Sequence, residues 1–286
     1  MAVVNTNANA TIAQNALARN ERAMNTAMER LSTGNRINGA KDDAAGLAIS
    51  SRMTSQIRGL ETGIRNANDA ISMINTADGA LIEVTNMLQR MRELAIQASN
   101  GTTTAADRDY LSAEYSNLLS EIDRIAENTQ WNGMNILNHT TLASSKFAYT
   151  VGANAGQTIA VNFGDLTNTA SGVFASLTAS HASISAATTA AAITTATSAV
   201  VAIDSAITAI NSKRATYGAA INQLTYAVDN LANVKVNAEA SRSRILDADY
   251  ARETSELART QIIQQAGTAM LAQANQLPQT VLSLLQ

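Results

Sequence analysis

The chain has 286 residues, a net charge of −3, one Pro, two His and no Cys. Without Cys, a disulfide framework, a thiolate metal site and a cysteine nucleophile are excluded, and the acidic balance argues against a nucleic-acid-binding protein. Aromatic residues make up only 3% of the chain, and a Pro inside a helix costs ~3 kcal/mol. We therefore expect long helices with aliphatic seams. We expect no catalytic, cofactor or metal site. No run approaches ~20 apolar residues, so we also expect no membrane span.

The first predicted element is a helix without charge in its first 18 residues. Its small and apolar residues recur at steps of three and four from Val3 to Leu31, and Leu17 and Met24 belong to this series. That spacing predicts an amphipathic helix with a heptad seam. Residues 32–43 contain turn formers and interrupt it.

Two further helices are predicted before residue 130. The first covers about 44–99 and has a seam from Ile57 to Ala98, and the second covers about 105–128. The short connection at Asn100-Gly101 makes the two helices antiparallel neighbours.

The pattern changes to strands after the third helix. Alternating apolar residues in 147–151 and 159–163, separated by GANAGQ, predict a β-hairpin. The next stretch, 166–203, is uncharged and rich in Ala, Ser and Thr. It is interpreted as a flexible surface loop or a weak helix, and the sequence does not decide between them.

The last predicted helix begins near residue 200 and leads toward a C-terminal segment. Residues 260–286 are uncharged and repeat the helical spacing at Ile263, Ala266, Met270 and Leu277. Both ends are rich in Asn and Gln, which suits helices that pack against copies of the same chain, because buried amides avoid the desolvation cost of buried ions. The predicted fold is mainly α, with long coiled-coil-like antiparallel helices, a small β-hairpin region, and a rod folded back so that both termini pair.

Several long strings resemble bacterial flagellin, the family that builds the flagellar filament. They include ERLSTGNRINGAKDDAAGLAIS (29–50), LQRMRELAIQASNGT (88–102), the hairpin 147–161, and nearly all of 241–286. The resemblance covers about 1–163 and 200–286. It implies a structural subunit of a secreted, extracellular, helical homopolymer that serves motility, and not an enzyme.

The resemblance also implies a domain plan. Residues 1–42 with 246–286 would form a terminal helical domain in the inner filament tube, through Leu17, Met24, Leu31, Ile263, Ala266, Met270 and Leu277. Residues 43–165 with 200–245 would form a helical rod domain with the hairpin, and 166–199 a variable surface segment. Implied partners are an export chaperone at the C-terminal helix and the filament cap and junction proteins.

One face of the second helix is a further candidate surface. The family resemblance implies that it contacts neighbouring subunits and the host's flagellin-sensing Toll-like receptor, through Gln89, Arg90, Glu93, Leu94, Gln97 and Glu114. Leu94 lies off the predicted seam, so we expect it to be exposed; spacing alone favours an ordinary solvated face. The alternative function is a hook–filament junction or secreted tip protein of related helical build.

Overall fold

The computed structural model describes residues 7–138, 146–166, 174, 177 and 189–283. The helices are α1 (Ala8–Thr33), α2 (Ala44–Ala98), α3 (Ala105–Asn128), α4 (Thr189–Leu246) and α5 (Tyr250–Ser283). Two antiparallel strand pairs lie between α3 and α4: β1 (Gln130–Trp131) with β2 (Met134–Asn135), and β3 (Lys146–Thr150) with β4 (Thr158–Asn162). The predicted fold class, mainly α with a small hairpin region, is confirmed.

The chain divides into two compact units. We call Met1–Ile57 with Val236–Gln286 the terminal unit, and Arg58–Lys235 the central unit. Both divisions fall inside α2 and α4. The predicted domain plan, which divides the chain at 42/43 and 245/246, concerns the assembled protein and stays a prediction.

The helix boundaries follow from local capping. α1 ends at Gly34, whose φ of +72° is the left-handed conformation that glycine adopts freely, and whose N–H donates to the Arg30 carbonyl at 2.9 Å. α2 begins after Asp43, whose carboxylate accepts from the Gly46 N–H at 2.8 Å. At the start of α3, Thr104 and Asp107 form a reciprocal capping box.

The core of the central unit contains the seams that the sequence predicts. Residues of α2 from Ala67 to Ala98 pack with Tyr115 and Ile122 of α3 and with Ile203 and Leu224 of α4 in one hydrophobic cluster. Arg214, the one polar break in the predicted α4 seam, pairs with Asp78 of α2 at 2.8 Å. The helical seams of the central unit are therefore confirmed.

The predicted hairpin is also confirmed. Phe147 lies opposite Val161, and Tyr149 lies opposite Ile159. The side chains of Phe147, Tyr149 and Ile159 are half-buried against the helical core, and Val161 is fully buried in it. The hairpin loop lies so close to α2 that a Cβ on Gly63 would stand 3.1 Å from the Gly152 backbone nitrogen.

The Ala/Ser/Thr-rich stretch is not a surface segment throughout. α4 begins at Thr189, and Ala196 and Ala199 are fully buried, as are Phe174 and Leu177. The expectation of a surface segment at 166–199 is wrong for these positions. For Ala196 and Ala199 the physical reason is that alanines spaced by three and four residues continue the α4 seam toward the N-terminus.

One stretch in the described part of the chain, Ile193–Leu246 of α4, is long and apolar enough to cross a membrane by length and composition alone. Its inner face is occupied, however, since Ile203, Ile210 and Leu224 are fully buried in the core of the central unit. Apolar helices that form the core of water-soluble proteins have this same composition. We therefore interpret α4 as a core helix.

Candidate functional site

The two terminal helices, α1 and α5, pack against each other through amides and small residues. Asn20 is buried, and its side-chain amide donates to the Thr260 carbonyl at 2.7 Å and to the Gln264 side-chain oxygen at 3.2 Å. Near the N-terminal end of α1, Asn7 donates to the Ala274 carbonyl at 2.8 Å. These bonds satisfy buried polar groups without burying a charge.

An ion pair lies at the other end of this interface. The Arg30 guanidinium lies 3.1 Å from the carboxylate of Glu253, which is buried. Arg30 is in the last turn of α1 and Glu253 is in the first turn of α5. Each charge therefore also has the sign that the dipole of its own helix end favours.

α5 has a glycine at the point where its backbone packs closely against α1. A Cβ on Gly267 would lie 2.9 Å from a methyl carbon of Leu17. Leu17, Met24 and Leu31, predicted to belong to the α1 seam, are all half-buried. The pairing of both terminal helices, which the predicted fold requires, is therefore present.

The outer side of α5 carries the apolar stripe that the sequence identified. Ile263, Ala266 and Met270 are exposed, and the side chain of Leu277 lies outside the described residues. At 100° per residue, the three lie roughly 60–120° around the helix from Thr260, which faces α1. The apolar spacing thus marks a second face of α5 and not the one that contacts α1.

Large apolar side chains remain exposed on both terminal helices. We call the following five residues the outer apolar positions: Ile12, Met28, Ile262, Ile263 and Met270. Ile12, Ile262, Ile263 and Met270 lie in uncharged stretches, since residues 1–18 and 260–286 contain no charge, whereas Met28 is followed by Glu29 and Arg30. Surfaces that combine exposed apolar side chains with scarce charge are typical of protein–protein contacts.

An isolated antiparallel β-bridge between Asn35 and Asp247, which we call the clasp, joins the segments that follow α1 and α4. The Arg36 N–H donates to the Leu246 carbonyl at 2.7 Å, and the Ala248 N–H donates to the Gly34 carbonyl at 2.9 Å. The Arg36 guanidinium adds a bond of 2.7 Å to the Ile245 carbonyl. This clasp holds the two chain segments together where they lead into the terminal helices.

The second candidate surface is the face shared by α2 and α3. Arg90 is exposed and donates to Glu114 of α3 at 2.9 Å and to Glu93 at 3.0 Å. The hydrogen bond to Glu114, and then the one to Glu93, raise the pKa of Arg90 above its ordinary value. Gln89 and Gln97 are exposed beside this cluster.

Leu94 does not belong to that exposed face. Its side chain is 2% exposed and lies in the hydrophobic cluster of the central unit. The expectation that Leu94 is exposed is wrong. The core on α2 covers both Leu94 and the neighbouring Ala95 because α3 and α4 both contribute to it, which makes the buried arc wider than one heptad seam.

The described residues include no group of three or more His, Asp or Glu side chains that could hold a metal ion. Both histidines, His139 and His181, lie outside the described residues.

Two family models match the chain. The model of the bacterial flagellin N-terminal helical region matches residues 4–141, and that of the bacterial flagellin C-terminal helical region matches residues 200–285. The matched ranges contain α1, α2, α3 and α5, and α4 from residue 200 onward. They therefore include both surfaces described above.

Individual proteins match over almost the whole chain. A flagellin of Halalkalibacterium halodurans is 45% identical over 260 residues, which cover 91% of this chain and 91% of that protein. The flagellar filament 33 kDa core protein of Treponema phagedenis is 41% identical over 292 residues, which cover 99% of this chain and 100% of that protein. The structure of a putative flagellar hook-associated protein from Vibrio parahaemolyticus shares the fold with a TM-score of 0.61 at 15% identity, over 72% of this chain and 100% of that one.

Proposed function

The chain belongs to the bacterial flagellin family, and from that premise we propose that it is the structural subunit of an extracellular flagellar filament. The observation that carries the proposal is the apolar surface that α1 and α5 leave uncovered after they pair. Contact of this surface with copies of the same chain would bury it.

The composition of the terminal helices supports a homopolymer over contact with water or with lipid. A water-facing helix normally carries charge, and a lipid-facing helix carries neither charge nor amides. The part of α5 from Thr260 onward has exposed Ile262, Ile263 and Met270 together with Gln and Asn, and no charged residue. Neutral amides can bond across a subunit contact without the cost of burying ions.

Burial of the outer apolar positions would stabilise a subunit contact substantially. Full burial of one Ile or Met side chain stabilises by about 1.5–3 kcal/mol relative to exposure. The five outer apolar positions are roughly half exposed or more, so their burial contributes on the order of 5 kcal/mol per subunit. The same free energy is gained with every subunit that is added to a filament.

A matched pair of substitutions tests this proposal. Ile262 on α5 is 66% exposed and Val201 on α4 is 62% exposed, so Lys at either position should leave the monomer folded. We expect Ile262→Lys to prevent filament formation from purified protein, because a buried ammonium without a partner is costly. Val201→Lys lies outside the terminal helices and should form filaments like the parent chain. The readouts are seeded polymerisation, electron microscopy and thermal melting of the monomer.

Equal assembly of the two variants would show that the outer face of α5 is not a subunit contact. Failure of the parent chain to form tubes would favour the alternative function, a hook–filament junction or secreted tip protein. The same images of the purified parent chain therefore separate the two functions.

We further propose that the α2–α3 face is recognised by the host's flagellin-sensing Toll-like receptor. The support is the family membership together with the exposed Arg90–Glu114–Glu93 cluster and its neighbours Gln89 and Gln97. Glu93 and Glu114 hold the Arg90 guanidinium in one orientation, so a partner meets a preformed surface. Leu94 contributes by supporting α2 from inside.

A receptor reporter assay with matched arginine substitutions tests this second role. Arg124 forms an exposed i, i+3 pair with Glu121, which resembles the Arg90–Glu93 pair of α2 but lies on α3, past Glu114. We expect Arg90→Ala to lower signalling by tenfold or more, equivalent to about 1.4 kcal/mol of binding free energy, and Arg124→Ala to leave signalling unchanged. Equal potency of the two variants would contradict the assignment of this face.

We also propose that the C-terminal helix is the binding site of an export chaperone before secretion, and that cap and junction proteins meet the same ends in the filament. Deletion of 260–286 removes most of α5, including the exposed stripe and the partners of Asn7 and Asn20. The truncated chain should keep a folded central unit, lose filament formation and lose chaperone binding in a pull-down. Unchanged chaperone affinity would contradict the first of these partner assignments.

A further inference from the structure

Methionine is distributed unevenly between the interior and the terminal helices. Met73 and Met91 are fully buried in the core of the central unit. Met270 on α5 is 66% exposed, and Met28 on α1 is also exposed. A third exposed methionine, Met134 on β2, is 47% exposed and belongs to the central unit.

Exposed thioethers react with peroxides and with hypochlorous acid, whereas buried ones are shielded. With hydrogen peroxide, a sulfur lone pair attacks one peroxide oxygen, the O–O bond breaks, and an S–O bond forms. The sulfur loses two electrons, and the second peroxide oxygen leaves as water after proton transfer. The product is methionine sulfoxide, which sulfoxide reductases convert back to the thioether.

We propose that Met270 is an oxidant-sensitive site, and that its sulfoxide prevents the subunit from joining the filament. Met270 lies in the exposed stripe with Ile263 and Ala266, which is apolar and free of charge. Oxidation converts an apolar side chain of this stripe into a strongly polar one. A contact that buries the stripe would then bury a sulfoxide oxygen without a charged donor from the same segment.

This inference rests on the proposed self-assembly and extends it to a chemical sensitivity of the unassembled subunit. If Met270 is covered in the filament, it reacts with oxidant before assembly and is protected afterwards. Burial of an unsatisfied polar group costs about 1–3 kcal/mol in proteins. That cost corresponds to roughly a 5- to 150-fold increase in the subunit concentration needed for polymerisation.

The parent for the experiment is the full-length chain with the substitution Met28→Leu. This removes the other exposed methionine of the terminal helices, so that among their described residues Met270 is the exposed one. Leu is close to Met in volume and does not oxidise at sulfur. The monomer is treated with hydrogen peroxide, sulfoxides are mapped by peptide mass spectrometry, and the critical concentration for polymerisation is measured. The two derivatives are Met270→Leu and Met134→Leu in the same parent, and assembled filaments receive the same treatment.

We expect peroxide to raise the critical concentration of the parent and of the Met134→Leu derivative at least fivefold. The Met270→Leu derivative should be unaffected, sulfoxide reductase should restore the parent, and Met270 should stay unoxidised in filaments. Equal polymerisation of treated and untreated parent, with Met270 oxidised, would overturn the inference and leave the proposed function intact. If the untreated parent does not polymerise while the unsubstituted chain does, Met28 cannot be replaced by Leu. The comparison is then made with the single variants Met270→Leu and Met134→Leu. Failure of the unsubstituted chain to assemble would overturn the proposed function and this inference with it.

Discussion

Replacement of Leu94 by Ala tests whether the core of the central unit extends across two adjacent positions of α2. Leu94 is almost fully enclosed, and its cluster includes Met91, Ala95 and Ala98 on the same helix. The substitution removes three carbons from a cluster that is built from residues of three helices. The resulting cavity can collapse only in part.

The expected loss is large for a single substitution. Leu→Ala in a core costs about 2–5 kcal/mol, because a cavity term adds to the lost transfer free energy. For a unit of ~150–250 residues, each kcal/mol lowers the melting temperature by about 2–4 °C. A loss of ~3 kcal/mol therefore predicts a decrease of about 6–12 °C.

Thermal unfolding of the monomer, followed by the helical circular dichroism signal, measures this decrease. Ile96→Ala is the matched control, because Ile96 lies two residues further along α2 and is exposed. Its effect on the free energy of unfolding should stay within ~0.5 kcal/mol. If the two variants melt at the same temperature, Leu94 is not a core residue. The prediction that Leu94 belongs to the exposed receptor-facing surface would then hold.

Four further substitutions probe the central unit. Gly63→Val should displace the hairpin loop, because its Cβ would stand 3.1 Å from the Gly152 nitrogen, and proteolysis within 151–157 should become faster. Gly79 is the control, because a Cβ there would meet nothing within 4 Å. Gly79→Ala should therefore stabilise the protein by about 0.5–1 kcal/mol. Arg108→Met should cost about 1.5–3 kcal/mol in urea unfolding, because the buried guanidinium bonds the Ala98 carbonyl at 3.2 Å. The hydrogen bond and the charge of Lys235 lower the pKa of Glu61 below 4.5, so Glu61→Gln should be less stable than the parent at neutral pH. That difference should vanish as pH falls through the lowered pKa; a difference independent of pH would contradict the pairing.

Periodicity was sufficient to predict most of the central unit. The seams of α2, α3 and α4 repeat over many turns, so an error at one residue does not shift the helix. Alternation likewise fixed which residues of β3 and β4 face the core. Leu94 was misassigned because a heptad describes contact with one partner helix, whereas this core brings α2, α3 and α4 together.

The terminal helices are less predictable because tight packing selects small and amide side chains. The α5 face that contacts α1 contains Thr260, Gln264 and Gly267, which no hydrophobicity pattern would select. The apolar stripe marked a different face, exposed in the single chain. Alanine posed the same problem at Ala196 and Ala199, where low-complexity composition concealed a helical seam.

The most direct test of the central claim is an electron cryomicroscopy reconstruction of filaments grown from the purified chain. We expect tubes of constant width in which α1 and α5 line the inner wall, with Ile262 and Met270 buried against neighbouring subunits. Filaments in which these two side chains face solvent, or solutions without filaments at concentrations where other flagellins polymerise, would contradict it.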